Sequence, residues 1–384
     1  MQKGKIGILT FHASHNNGSM LQALALQHVL AGKYHLDTDI IDFSNDAQRN
    51  MYAPLPRPRN WKQHIKRLIF ALNWRQINRQ YNDFNSFSAQ YFKLSKQAFR
   101  NGQELTAAAR GYQAIIAGSD QIWNICCRDS DDAYYLNFTK EIPKYTYAVS
   151  FGANNPFVME TEPGYYESLV KDFRYISVRE FNARKWILSA TGIDTPVCLD
   201  PTMMLDEEEW EELVDAGDEP LIHGDYIFYY CFSITEEIQR FLRYLSKTYH
   251  MPVYFMDAKE WTLKACWRNS IRLVKKYGPA AYLNVVKNAT MFITTSFHGT
   301  AFATIYGKCF WYIDDGKNDP NRDDRALSFL TQLGLMDRYK TVGNLREIDL
   351  LIPCDYTQAR ENLALLRRDS FAYLEKIVHE INYE

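Results

Sequence analysis

Apolar residues occur in two patterns along this chain. Short unbroken apolar runs alternate with longer stretches in which apolar positions recur every three or four residues. The first pattern marks strands buried on both faces, the second amphipathic helices. The runs predict strands at Ile6 to Phe11, Thr38 to Phe43, Ala114 to Ala117, Tyr145 to Phe151, Tyr175 to Val178 and Thr195 to Leu199. A second series is Tyr226 to Phe232, Pro252 to Met256, Thr290 to Thr294 and Cys309 to Ile313. Helical periodicity lies between them, at Met20 to Ala31, Glu180 to Ala190, Glu236 to Thr248 and Ala280 to Asn288. Strands alternating with helices imply an α/β protein built on parallel sheets. The acidic stretch Asp206 to Asp218, ending near Pro220, reads as a short helix and the passage between two such units. The expected organisation is one unit over residues 1–212, a second over 213–352 and a helical segment over 353–384. In that last segment Leu363, Leu366, Phe371, Leu374, Ile377 and Ile381 fall near one face.

Composition narrows the function classes. At 384 residues, two domains are expected from a prior of about 150 residues each. The net charge of −2 argues against a partner bound through bulk positive charge, so no nucleic acid is expected. Aromatic residues make up 15%, enough to line an organic ligand, although most should be core. The seven cysteines are scattered, without CxxC or zinc spacing, and read as buried thiols of a reducing compartment. The N-terminal apolar run is too short for a signal peptide, and no run approaches the roughly 18 residues of a membrane span. The expectation is therefore a cytoplasmic protein. One segment departs from the charge balance. Arg57, Arg59, Lys62, Lys66, Arg67, Arg75 and Arg79 occur without an acidic residue, interleaved with Trp61, Ile65, Leu68, Ile69, Leu72 and Trp74. This is a basic amphipathic helix. Such a helix either lays its apolar face on its own domain or rests peripherally on the inner face of a membrane.

Six motifs sit where strands end. The first strand runs into a polar loop, His12-Ala-Ser-His15-Asn-Asn17-Gly18-Ser19, and a helix. Strand ends and helix N-termini are where open α/β sheets bind anions. The loop lacks GxGxxG and the P-loop lysine, so neither a dinucleotide nor ATP is indicated. Read alone, Asn17, Gly18 and Ser19 also suit a turn and helix cap. In Gly118-Ser119-Asp120-Gln121-Ile-Trp123, the glycine permits close approach of a ligand, Asp120 can orient or deprotonate a hydroxyl, and Trp123 can stack on a sugar. The alternative for Asp120 is a capping role. Ile176-Ser-Val-Arg179-Glu180 ends in a guanidinium suited to a carboxylate or phosphate, or to a salt bridge with Glu180. Leu199-Asp200-Pro201-Thr202 reads as a turn whose aspartate can hold another site residue. Thr294-Thr295-Ser296-Phe297-His298-Gly299-Thr300 adds a titratable group at a strand end before a helix, which favours proton transfer near neutrality. Asp323-Asp324-Arg325, with Arg322, offers positive charge or a solvated turn. No Gly-x-Ser-x-Gly elbow, HExxH or metal-binding carboxylate pair occurs, so no metal site is expected.

In order and spacing, FHASHNNGSMLQALAL, GSDQIWN, ISVRE, LDPT, TSFHGTAFA and RALSFLTQLGLMDR resemble the polysaccharide pyruvyl transferase family over roughly residues 5–340. The resemblance implies two Rossmann-like domains facing across a cleft, in the GT-B manner, with the acceptor on the first and the donor on the second. It implies phosphoenolpyruvate as donor substrate, no cofactor, and a sugar or lipid-linked oligosaccharide as acceptor. The family's catalytic histidine falls on His298, the acid that protonates the enol carbon. Arg179, Arg325, Ser296, Gly299 and Thr300 fall on the donor side. Asp120 is the hydroxyl-orienting base, and Asn17, Gly18, Ser19 and Trp123 lie on the acceptor side. One departure stands out: several members carry Arg two residues before the histidine, where this chain has Ser296. That slot motivates an alternative, a glycosyltransferase-like enzyme with a sugar nucleotide donor. A third reading is a non-catalytic glycan- or anion-binding relative. It gains if His298, Arg179 and Asp120 prove buried and mutually paired away from any cleft.

Overall fold

Both strand series form all-parallel sheets in the computed structural model, which describes residues 4–314, 325–346 and 348–383. The first sheet contains β1 (Ile6–Leu9), β2 (Thr38–Ile40), β3 (Ala114–Asp120) and β4 (Lys144–Val149) in the order β2-β1-β3-β4. The second contains β5 (Ile227–Tyr230), β6 (Val253–Phe255), β7 (Ile271–Leu273), β8 (Met291–Thr294), β9 (Phe310–Asp314) and β10 (Tyr339–Thr341) in the order β10-β9-β8-β5-β6-β7. The apolar runs are continuous because these strands are covered on both faces; β1, β3, β4 and β5 are buried throughout.

Three local outcomes differ from the sequence reading. β3 runs on through Gly118 and Ser119 to Asp120, because β4 pairs with it there, with Asp120 opposite Val149. The runs at Tyr175 to Val178 and Thr195 to Leu199 join the sheet edge only through isolated bridges, Tyr145 to Tyr175, Val149 to Val178 and Val178 to Val197. β7 and β10 are three residues each, with polar positions (Ile-Arg-Leu and Tyr-Lys-Thr), and leave no apolar run to detect.

Each sheet reverses its winding once. In the first the chain moves from β1 outward to β2 and then returns to β3; in the second it moves from β5 to β6 and β7 and then returns to β8. Ligands in open α/β sheets collect at such reversals, beyond the carboxyl ends of the flanking strands. Those ends are the loops after β1, β3, β5 and β8.

The two units share a core. The helix Asn17–His28 is buried from Asn17 to Gln27 and packs against the helix Gly278–Asn288 of the second unit and the turn Pro201–Met204. A helix apolar on every side must be enclosed. The C-terminal helix Thr357–Tyr383 packs near its start on the helix Arg325–Leu333 and then runs along the first unit. There Tyr373 donates to the Thr146 carbonyl at 2.9 Å, the Leu199 amide donates to Ser370 Oγ at 2.9 Å, and Arg367 donates to the Met203 carbonyl at 2.6 Å. This strap fixes the strand-end loops of the first unit close to those of the second.

Candidate active site

Asp200 is the hub of a charged cluster at the junction. The Leu-Asp-Pro-Thr turn is short because Pro201 cannot continue a ladder, so the carboxylate is turned inward. Its Oδ1 accepts from Thr202 N at 3.0 Å and Thr202 Oγ1 at 2.8 Å. Its Oδ2 accepts from Ser119 Oγ at 3.0 Å and Arg179 Nη1 at 2.6 Å, and lies 3.4 Å from His298 Nε2. Burial opposes ionisation of Asp200. His298, Arg179 and the Thr202 amide together outweigh it and hold the carboxyl well below the usual range.

Arg179 joins the two units. Besides its bond to Asp200, Nη2 is 3.8 Å from Asp120 Oδ1 and Nε is 3.9 Å from Glu180 Oε2. Its guanidinium lies over the ring of Phe297, 4.4 Å from the centroid, on the second unit. Arg179, Asp120 and His298 are 5%, 4% and 6% exposed. They are buried and paired, yet they sit at the strand ends of both sheets, between the units. Several of their polar atoms remain unused. Arg179 Nε and Nη2, His298 Nε2 and Asn17 Oδ1 are buried and make no hydrogen bond. Arg179 Nη2, Arg179 Nε and His298 Nε2 instead face the carboxylates of Asp120, Glu180 and Asp200 at 3.4–3.9 Å, and buried polar groups so loosely held are uncommon in folded proteins.

Asp120 ends β3 in the left-handed region, with φ of 68°. A non-glycine residue there is strained. The strain aims the carboxylate across the strand end: Oδ1 accepts the Gln121 amide at 2.8 Å, and Oδ2 accepts the Ser19 hydroxyl. One carboxylate oxygen of Asp120 thus takes the capping contact, while the other is held by Ser19. Asn16 caps the helix Asn17–His28, accepting from Ser19 N, and brings Gly18 against His298. A Cβ on Gly18 would stand 2.1 Å from His298 Cγ. Glycine is thus the residue that lets the first helix approach the histidine. Tyr230, at the end of β5, sits beside Asn17 and Gly18, and Asn17 Nδ2 is 3.5 Å from Met256 Sδ.

Several expected roles are corrected. Trp123 is 0% exposed, stacked 4.8 Å from Tyr135, and donates Nε1 to the Tyr134 carbonyl at 3.0 Å. It is a core residue with no face free for a sugar. Gly118 admits Leu26 rather than a ligand, since a Cβ there would lie 2.3 Å from Leu26 Cδ2. Ser296 is the N-cap of the helix Phe297–Ile305, accepting from Gly299 N at 3.4 Å. Gly299 packs on Thr294, and Thr300, fully buried, donates to the Ser296 carbonyl. Gly299 and Thr300 shape the helix start and do not line an open surface. Arg325 begins the helix Arg325–Leu333 and lines a small cavity of about 30 Å³ with Thr295, Phe297, Tyr312 and Tyr339. Its charge is felt by Cys127 of the first unit, so it stands near the junction rim. Arg322, Asp323 and Asp324 lie outside the described residues.

The sequence reading missed Phe297 as the cover of Arg179 and Ser119 as a donor to Asp200. It also missed an aromatic group around His15, whose ring stacks 5.1 Å from Phe84 and lies 5.5 Å from Tyr52. Burial and the nearby Lys259 push the His15 pKa down to about 4. Both ends of the GSD and TSFH runs were visible as strand ends. Their cross-junction partners were not, because nothing local encodes them. Among the described residues no group of three or more His, Cys, Asp or Glu could hold a metal ion, and no helix is long and apolar enough to cross a membrane.

Comparison with known proteins adds a family and a fold. A family model described as polysaccharide pyruvyl transferase matches residues 16–316. No curated protein sequence matches the chain. Among solved structures, the chain is similar to one described as a UDP-N-acetylglucosamine 2-epimerase from Listeria monocytogenes. The identity is 10%, the match covers 98% of this chain and 97% of that one, and the TM-score is 0.56. It is also similar to another UDP-N-acetylglucosamine 2-epimerase, at 10% identity, covering 100% and 98% of the two chains, with a TM-score of 0.50. These likenesses give the architecture alone: two Rossmann-like units in the GT-B arrangement.

Proposed function

The chain belongs to the polysaccharide pyruvyl transferase family, a family of transferases, and from that premise we propose that it moves the pyruvyl group of phosphoenolpyruvate onto two sugar hydroxyls as a ketal. The observation that carries this reading is the convergence of unused buried polar atoms on Arg179, His298 and Asn17 at the junction. An anionic donor would receive hydrogen bonds from Arg179 Nε and Nη2, with Arg325 at the rim adding charge.

The reaction then follows from the positions. His298, when protonated, gives its proton to the enol carbon and leaves C2 of the donor electrophilic. Asp200 orients the ring through its Oδ2, 3.4 Å from His298 Nε2. A sugar hydroxyl attacks C2, giving up its proton to Asp120, for which it must displace Ser19. Phosphate leaves, taking the C2–O bonding pair, and a second hydroxyl adds to the oxocarbenium carbon to close the ketal, its proton passing to His298. The setting is assembly of a polysaccharide or other cell-surface glycan.

Ser296 favours a second reading, a sugar nucleotide donor, because the slot two residues before the histidine supplies a neutral cap instead of a cation. Calorimetric titration separates the two. Saturable binding of phosphoenolpyruvate, lost in Arg179→Ala that still melts cooperatively, supports the pyruvyl reading. Binding of a UDP-sugar without phosphoenolpyruvate supports the second. Binding of neither refutes the donor assignment.

A further inference from the structure

The basic segment after Tyr52 is not used by the junction. Its helix, Trp61–Leu72, is seated on the helix Ala258–Leu263 of the second unit by one face only. Phe70 is the sole buried residue of the helix, and Asn73 at its end donates to Thr262 Oγ1 at 2.8 Å. Of the two placements open to this helix, the one that lays its apolar face on the domain is not found. At about 100° per residue, Trp61, Ile65, Leu68 and Leu72 fall within an arc of roughly 60°, opposite Phe70. They are 66%, 47%, 69% and 87% exposed. Lys62, Lys66 and Arg67 are exposed along the flanks, with Arg57 and Arg59 before the helix and Arg75 after it. The carboxylate that Lys66 influences, Glu260, is half-buried on the helix beneath.

We propose that this outward face docks the protein on an anionic phospholipid bilayer, with the helix lying in the plane of the headgroups. An apolar stripe flanked by cations, Lys62 and Lys66 on one side and Arg67 on the other, is the arrangement that such a surface takes up. A second copy of the chain fits poorly. A two-fold contact would set these cations against those of the second copy, without a carboxylate in residues 57–79 to offset them. The inference does not rest on the identity of the donor. It places the junction near the bilayer, since only eight residues separate Tyr52, beside His15, from Trp61.

The test is co-sedimentation of the full chain with vesicles of phosphatidylcholine, with and without 30% phosphatidylglycerol. Binding to the anionic vesicles alone is expected, weakening as salt rises, together with a blue shift of tryptophan emission. Lys62→Ala, Lys66→Ala and Arg67→Ala combined should weaken binding about a hundredfold, at roughly fivefold per cation. Leu68→Glu with Leu72→Glu should abolish it; both positions are exposed, so circular dichroism and melting should match the parent. Equal binding by the Leu68→Glu/Leu72→Glu variant would overturn the proposal. So would absence of binding by the parent, or a concentration-dependent dimer that the same variant dissolves.

Discussion

Gly18→Ala tests whether the first helix positions His298. The added Cβ would stand 2.1 Å from His298 Cγ and 2.2 Å from Nδ1, so the ring must retreat by about 1 Å to reach even the shortest contact real side chains show. Overpacking of this kind costs about 1–3 kcal/mol, against a helix-propensity gain of at most ~1 kcal/mol from replacing glycine. A displacement of about 1 Å in a reacting group costs roughly a hundredfold in rate. The assay is a double-mutant cycle with His298→Ala, read by denaturant unfolding and by transfer rate. Alone, Gly18→Ala should destabilise by about 1–2 kcal/mol and slow transfer roughly a hundredfold. On the His298→Ala background the obstructing ring is gone. The same change should then be neutral or slightly stabilising, with no further loss of rate. Equal destabilisation on both backgrounds would refute the reasoning, because the clash would then involve something other than His298.

Three further outcomes follow from the same geometry. Asp200→Asn removes the charge that Arg179 and His298 share, and should destabilise by about 3–5 kcal/mol in urea unfolding, as when one partner of a buried ion pair is lost. A cost below about 1 kcal/mol would show the cluster to be solvated. Trp123→Phe leaves the Tyr134 carbonyl without its donor and should cost about 1–3 kcal/mol while leaving the acceptor KM unchanged. A raised KM at unchanged stability would restore a sugar-stacking role. His15 is held neutral, its pKa lowered to about 4. The unfolded chain therefore binds a proton that the folded chain refuses. Stability is fully present above pH 6.5 and is lost as pH falls towards 4, by up to about 3 kcal/mol. In His15→Phe the urea midpoint should no longer carry this dependence; an identical pH slope in the variant would contradict it.

The α/β class was legible because strands covered on both faces must be apolar at successive positions, as in Ile6–Leu9 and Phe292-Ile293. The strand ends that form the candidate site were legible for a related reason. A parallel strand that stops at Gly-Ser-Asp or Thr-Ser-Phe-His exposes its end where ligands collect. What could not be read was direction and depth. Helical periodicity shows that Trp61, Ile65, Leu68 and Leu72 share a face, but not that Phe70 is the side that docks. Trp123 follows a site motif in sequence, yet the chain turns it under Tyr135. Asp200 looked like a turn residue because its role is set by Arg179, Ser119 and His298, all distant in sequence. Gly18 and Gly118 are glycines for packing, against a histidine and a leucine that only the fold brings near.

The charge balance of the junction bears on the donor. Among the described residues, the carboxyl groups of Asp120, Glu180 and Asp200 gather round one guanidinium, that of Arg179, with the His298 ring beside Asp200. These carboxyl groups oppose an anion such as phosphoenolpyruvate. Its attraction must come from directed donors, and from Arg325, which stands beside Phe297 and Thr295 at the rim. Ser296→Arg tests this. The substitution removes an N-cap, costing about 1 kcal/mol, and sets a cation near a helix N-terminus, where it is mildly unfavourable. Against that, a unit charge about 4 Å from the donor contributes up to ~4 kcal/mol at an effective dielectric of 20, before screening. Tighter binding of phosphoenolpyruvate, by tenfold or more, is expected despite a lower melting temperature. Unchanged affinity in a folded Ser296→Arg variant would mean that the anion does not lie over the helix Phe297–Ile305, and the donor side would have to be sought elsewhere on the junction.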